Sequence, residues 1–416
     1  MALRLLATKP NPELVRLPWH LPLEEWGEDV VLPLPRGISR HVVRIVRVGT
    51  HACAVKETQE PIARREYELL RDLRRLDLPT VVPQAVVTGR RTRAGEELPS
   101  ALVTRHLRFS LPYRSLFSHG MRADSLPSIV DALVVLLVRL HLSGFFWGDV
   151  SLSNVLFRRS AGEFAAYLVD AETGELRPQL SDGQRRHDLT VATENVFAEL
   201  LDLQAGGFVG EESDPTEVIE MLSERYDALW AALTRPETFS GGDTGMWKIA
   251  EWMESLNDLG FDVDEMDIVS EGPGERVRLQ PRVVEAGHHR RELWSLTGLE
   301  TEEGQARRLL NDMASYGAHF SHDLPREALA NRWLTEVYEP LVQMVPREMR
   351  GRLEPPEIFH EVLVHRWLLS ERAGHEIDFF ESAQDYIDTV LTRKPEEAVT
   401  TPADDPEALM GGAPPA

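Results

Sequence analysis

The chain of 416 residues holds a single cysteine, Cys53, so it makes no internal disulfide and has no cysteine-rich zinc site. Cys53 sits inside an apolar run and reads as a small buried hydrophobe. Lysine is nearly as scarce. Of 45 basic residues only Lys9, Lys56, Lys248 and Lys394 are lysines, so a lysine within a strand pattern stands out. Long apolar runs are missing too. The longest, Ala132 to Val138, falls far short of a membrane span and is bounded by Asp131 and Arg139. The opening MALRLLATKPNPE is too poor in apolar residues for a secretory leader, and the expected address is a reducing cytoplasm. The net charge of −23 excludes nucleic acid or an anionic membrane as the main partner, because both would be repelled. There is no G-x-S-x-G elbow and no dinucleotide fingerprint.

What remains is a folded, ordinary composition, with 42% hydrophobic and 27% charged residues, long enough for two or three domains. Residues 1–30 read as an arm. HVVRIVRV and HACAVKE, split by Gly49 and Thr50, predict a hairpin. Glu60 to Leu76 has helical spacing and stops before Pro79. TVVPQAVVTG and ALVTRHL predict two more strands. Leu126 to Ser143 predicts a buried helix, and Asp188 to Leu203 a second one. RPETFSGGDTG marks a boundary. Beyond it, Trp247 to Leu259 predicts a helix, and DEMDIVS and RVRLQP a hairpin around EGPGE. The rest is helical to about Leu391, and the tail from Pro395 has a disordered composition.

The chemistry-bearing stretch is FFWGDVSLSNVLF, followed by YLVDAETGE. Asp149 stands five residues before Asn154, and Asp170 closes a short apolar strand. Phosphoryl transfer from ATP requires these residue types in this order. One carboxylate orients the attacking hydroxyl, and an amide oxygen with a second carboxylate holds magnesium against the phosphates. Lys56 ends a strand with alternating faces and can reach phosphate oxygens. A carboxylate must hold it, and the following helix offers Glu66, with Glu68 as the alternate.

With these residues in view, the first two-thirds resembles a protein-kinase-superfamily domain, nearest to the lipopolysaccharide-kinase-like (Kdo/WaaP) branch and to small-molecule phosphotransferases. REYELLRDL is similar to the kinase helix that carries the ion-pair glutamate, which favours Glu66 over Glu68. The resemblance implies a two-lobed α+β fold with ATP and Mg2+ as cofactors. It implies Lys56 on the phosphates, Glu66 holding Lys56, Asp149 as base, and Asn154 and Asp170 on the metal. VVEAGHHRRELWSLTGL, QARRLLNDM, RWLTEVYEP and FHEVLVHRWLLSE resemble a bacterial family known as domain of unknown function 4032. The expected organisation is an arm (1–30), an N-lobe (31–106), a C-lobe (107–236), a linker (237–246), a helix-rich domain (247–394) and a tail (395–416).

Three departures from the kinase pattern stand out. Trp147 replaces a histidine two residues before the base. The usual Asp-Phe-Gly becomes Asp170-Ala171-Glu172, where Glu172 reads as a solvated loop residue or an added metal ligand. The glycine-rich loop is reduced to Gly37-Ile38-Ser39-Arg40; Ser39 and Arg40 can substitute side-chain donors toward phosphate, and a plain strand turn is an equal reading. The segment from Glu172 to His187 is short for a peptide platform, which points to a small-molecule, sugar or lipid-linked hydroxyl as acceptor. The alternative is a pseudokinase that binds nucleotide or scaffolds without turnover.

Other groups have blander readings. His360, Glu361 and His365 miss the zinc helix spacing by one residue, which places the two histidines about 140° apart. His288 and His289 beside Arg290 and Arg291 read as a polar helix face or an interdomain contact, with anion binding as the sharper option. Trp294, Trp333 and Trp367 read as core.

Overall fold

The computed structural model describes residues 3–9, 11–34, 40–118, 125–210, 212–234, 237–240, 261–262, 265–270, 276–282, 285–320 and 324–398. Gly37 to Ser39, the expected helix Trp247 to Leu259, most of the expected linker, the EGPGE turn and residues 399–416 lie outside the described residues. The chain divides into two compact units, one of residues 1–158, 166–222 and 397–416, the other of residues 159–165 and 223–396. Among the described residues, no helix is long and apolar enough to cross a membrane.

The first unit begins with a five-stranded antiparallel sheet. Its strands are β1 (Arg4–Ala7), β2 (Val43–Val48), β3 (His51–Thr58), β4 (Val82–Thr88) and β5 (Ser100–Arg105), in the order β1-β4-β5-β3-β2. Helix α1 (Glu60–Arg75) packs against β4 and β5. Period-two alternation sorts the sheet into faces. Val46, Val48, Cys53, Val55, Ala101 and Val103 join Leu14, Trp19, Leu23 and Trp26 in one apolar cluster. Their neighbours in sequence, Val43, Ile45, Ala54, Lys56, Leu102 and Thr104, line a cavity of about 130 Å3. Lys56 therefore reaches that cavity because Val55 is committed to the other side.

A buried ion pair fastens the N-terminal segment to the sheet. Arg90 is 1% exposed; its Nη1 donates to Glu57 at 2.6 Å and to the Pro99 carbonyl at 2.9 Å. Its Nη2 donates to the Leu21 carbonyl at 2.7 Å, and the Leu23 amide donates to Glu57 at 3.2 Å.

The helical part of this unit follows. β6 (Ser110–Pro112), the largely buried α2 (Leu126–Leu142) and β7 (Phe145–Phe146) lead into the loop that carries Asp149. β8 (Val155–Ser160) and β9 (Glu163–Leu168) extend β6 into a three-stranded sheet, and β10 (Glu175–Leu176) pairs with β7. α3 (Asp182–Ala205) starts six residues earlier than the periodicity predicts. A capping box explains this: the Ser181 side chain accepts from the Gln184 amide, and the Gln184 side chain accepts from the Ser181 amide.

In the second unit, β11 (Glu237–Ser240), β12 (Glu265–Ser270) and β13 (Arg276–Arg282) form an antiparallel sheet, and β12 and β13 are the expected hairpin. Helices follow: α4 (His288–Thr297), α5 (Glu303–Phe320), α6 (Arg326–Trp333), α7 (Glu339–Met344), α8 (Pro355–Ala373) and α9 (Phe379–Thr389). Their core gathers Trp333, Tyr338, Phe359 and Tyr386. Trp333 is fully buried as expected, but Trp294 and Trp367 are 59% and 62% exposed. Trp294 follows the buried Leu293, and one helical step of about 100° carries it off the core face.

Candidate active site

Lys56 is the hub. Its Nζ lies 2.9 Å from Glu66 Oε2, 3.0 Å from Asp170 Oδ2 and 3.4 Å from Glu172 Oε2. Glu66 is 1% exposed, because it sits with Ala63, Tyr67 and Leu70 on the buried side of α1. Glu68 is not part of the cluster. Burial pulls the Lys56 ammonium down, but Glu66 and Asp170 outweigh it and the net shift is upward, so the lysine is charged at neutral pH. Burial drives Glu66 up to about 7 against the pull of Lys56, and Asp170 pushes the same way. The two directions compete for one proton; the cationic lysine is the firmer of them, with two carboxylates stabilising it.

Asp170 follows β9, and its Oδ1 accepts from the Glu172 amide at 3.0 Å. Glu172 is not a solvated loop residue. Its side chain is 18% exposed and its Oε2 lies 2.8 Å from His41 Nε2. Glu66, Asp170 and Glu172 bring carboxylate oxygens within 4.8 Å of one another, the one such acidic or mixed group found among the described residues.

Asp149 and Asn154 stand on the loop after β7. Gly148 has φ +77°, a left-handed turn that only glycine adopts freely. Asn154 Nδ2 donates to the Asp149 carbonyl at 2.9 Å and to its Oδ2 at 3.2 Å, which leaves the amide oxygen as the end suited to a cation. Asn154 lines the same cavity as Lys56, Glu66 and Asp170. Asp149 is not among the lining residues; its Oδ2 lies 3.6 Å from Arg40 Nη2. Arg40 thus meets the acid in this structure, and Ser39 lies outside the described residues.

Two bonds tie the loop to Asp170. The Trp147 indole Nε1 donates to the Asp170 carbonyl at 3.1 Å, and the Val169 amide donates to the Asn154 carbonyl at 3.1 Å. Trp147 is fully buried. The sequence showed it only as a missing histidine, yet its indole nitrogen fixes the residue that precedes Ala171. Most of the other lining residues are apolar, among them Val43, Ile45, Leu102, Leu156 and Val169, and Thr104, Arg105, His106 and Ser153 also line the cavity. Burial lowers His106 to about 4, so it is a neutral imidazole at physiological pH.

Candidates elsewhere are absorbed by local structure. Glu303 accepts from the amides of His289 and Arg290 and pairs with His289 Nδ1 at 2.7 Å, so a carboxylate already occupies the start of α4. His365 pairs with Asp385, and Glu361 holds Tyr386 and Lys394.

The donor set suits a small hard cation. Carboxylate oxygens and an amide oxygen are the ligands magnesium takes, and three carboxylates around one lysine leave negative charge to be neutralised.

A sheet-rich lobe with an ion-paired strand lysine, followed by a helical lobe with an aspartate and an asparagine on one loop, defines a kinase-like fold, here joined to a helix-rich C-terminal region. Residues 47–197 match the lipopolysaccharide kinase (Kdo/WaaP) family, and residues 228–391 match a domain of unknown function (DUF4032). One similar solved structure is WaaP in complex with acyl carrier protein, at 17% identity, over 54% of this chain and 97% of that one, with a TM-score of 0.33. No curated protein matches.

Proposed function

We propose that the chain is an ATP- and magnesium-dependent phosphotransferase acting on a small-molecule, sugar or lipid-linked hydroxyl in a reducing, cytoplasmic compartment. The observation that carries this is the convergence of Lys56, Glu66, Asn154 and Asp170 on one cavity whose other walls are largely apolar. An apolar slot suits a flat base, and the polar end suits phosphates. Lys56, kept charged by Glu66 and Asp170, would pair with phosphate oxygens. Asn154 and Asp170, with Glu172 as a third oxygen donor, would hold magnesium. Magnesium, when bound, supplies neutralisation of charge on the transferring phosphoryl group. Asp149, held by the Asn154 amide, would accept or orient the acceptor proton. Rate would come mainly from positioning and electrostatics. The short stretch from Asp170 to the start of α3 at Asp182 offers little platform for a peptide, which favours a compact acceptor.

The pseudokinase alternative has less to stand on, since Trp147 keeps a hydrogen bond to the Asp170 carbonyl where a histidine was expected. Thermal shift with ATP, with and without magnesium, tests the proposal. Asp170→Asn should abolish the magnesium-dependent shift, and Asp149→Ala should keep the shift and lose turnover. A metabolite extract with labelled ATP then reports the acceptor. No shift and no ATP consumption by the wild type would refute the proposal.

A further inference from the structure

We infer that Glu199 is a positioning residue that sets the loop carrying Asp149 and Asn154, and that magnesium-dependent nucleotide binding depends on it. This rests on the phosphotransferase reading of the site. Glu199 Oε2 accepts from the Leu152 amide at 2.8 Å; its Oε1 accepts from the Ser153 amide at 2.8 Å and from Ser153 Oγ at 2.5 Å. These are the two residues before Asn154. Two further side chains of the same helix grip the same loop. Asp188 accepts from the Trp147 and Gly148 amides at 2.8 and 2.7 Å, and Asn195 Nδ2 donates to the Val150 carbonyl at 2.9 Å. Positions 188, 195 and 199 lie within about 40° on an α-helix, so one face of α3 holds the loop from end to end.

The choice of residue is chemically specific. Three donors converge on one side chain, and only a carboxylate offers two acceptor oxygens and no donor. That choice carries an electrostatic cost. Burial raises the Glu199 pKa, the bonds from Ser153 and Leu152 oppose the rise, and the nearby Asp149 adds to it. A second anion beside the candidate base is unfavourable in itself, so its three charge-assisted bonds must offset that repulsion.

Glu199→Gln keeps the shape but turns an NH2 group against an N–H donor. Lys56 and the apolar cavity are untouched by it. ATP affinity is measured with and without magnesium chloride, beside Tm and ATP turnover. The expected result is unchanged magnesium-free affinity and Tm near the wild type. The affinity gained on adding magnesium, and kcat, should fall about 10- to 100-fold, as for other groups that orient metal ligands. Glu199→Asp, which keeps both acceptors, should recover part of that loss. A Glu199→Gln variant with the full magnesium gain overturns the inference, and so does one that loses magnesium-free binding and Tm together, since its role is then structural. Should Glu199→Gln fail to fold, Ser153→Ala removes the hydroxyl donor to Glu199 and leaves both amide donors, with magnesium-free affinity reporting any direct effect on the cavity that Ser153 lines. A reduced magnesium gain there supports the inference, and an unchanged one overturns it. A wild-type chain without magnesium-dependent ATP binding removes the site reading itself, a different outcome from a wild type that binds and a variant that matches it.

Discussion

Lys56 Nζ and Asp170 Oδ2 lie 3.0 Å apart although 114 positions of sequence separate them. The contact joins the sheet-rich and helical lobes of one unit through a single ammonium that also holds Glu66.

Lys56→Met should therefore act twice. Turnover should fall at least about 100-fold, the scale for losing a preorganised charge at a reacting centre. Stability should fall by about 3–5 kcal/mol, because Glu66 is left buried without its cation. Lys56→Met with Glu66→Gln should recover much of the stability and none of the activity. Urea unfolding and ATP turnover on the same three samples check this.

Glu66 also predicts a pH dependence of the nucleotide-free protein. Its folded pKa is raised from 4.5 to about 7, so the folded state holds a proton that the unfolded chain releases earlier. Stability from this group is then largest at low pH and is lost as pH rises from 4.5 through about 7. Glu66→Gln, neutral throughout, should flatten that part of the stability profile. An identical slope in wild type and variant would contradict the assignment.

Trp147→Phe keeps a buried ring and removes one hydrogen bond, from Nε1 to the Asp170 carbonyl. The expected loss is about 1 kcal/mol, or several-fold in kcat, with ATP affinity in the absence of magnesium unchanged. Steady-state kinetics alongside magnesium-free titration separates this from a general loss of packing.

Strands β2 to β5 and helices α1 and α2 were legible because each rests on local pattern, whereas β1 fell within what the sequence read as an arm and the helix Pro215–Thr234 was not expected. Lys56 stands out by its strand pattern and by the scarcity of lysine; the following helix leaves both Glu66 and Glu68 open, and the resemblance to the kinase helix favours Glu66. The contacts of Glu172 were not legible, because His41 and Lys56 lie more than a hundred positions away and only folding brings them to it. The roles of Asp188, Asn195 and Glu199 were hidden for a similar reason: α3 has a weakly patterned sequence, and its polar face is committed to a loop rather than to water. The early start of α3 is readable in principle from Ser181 and Gln184, which form a capping box. Trp294 and Trp367 show the opposite error, since aromatic residues at helical spacing suggested burial that the helix faces do not provide.

The pairing of Arg90 with Glu57 bears on where this protein can be cut. The Kdo/WaaP match begins at residue 47, yet the carbonyls of Trp19 and Leu21 are among the acceptors that satisfy the guanidinium. A fragment starting at that homology border would keep the Arg90–Glu57 pair but lose two carbonyl acceptors of the guanidinium, the Leu23 amide on Glu57 and the tryptophan cover, and would be expected to precipitate on expression. The workable unit for biochemistry includes Trp19 and Leu21, more than twenty residues upstream of the similarity.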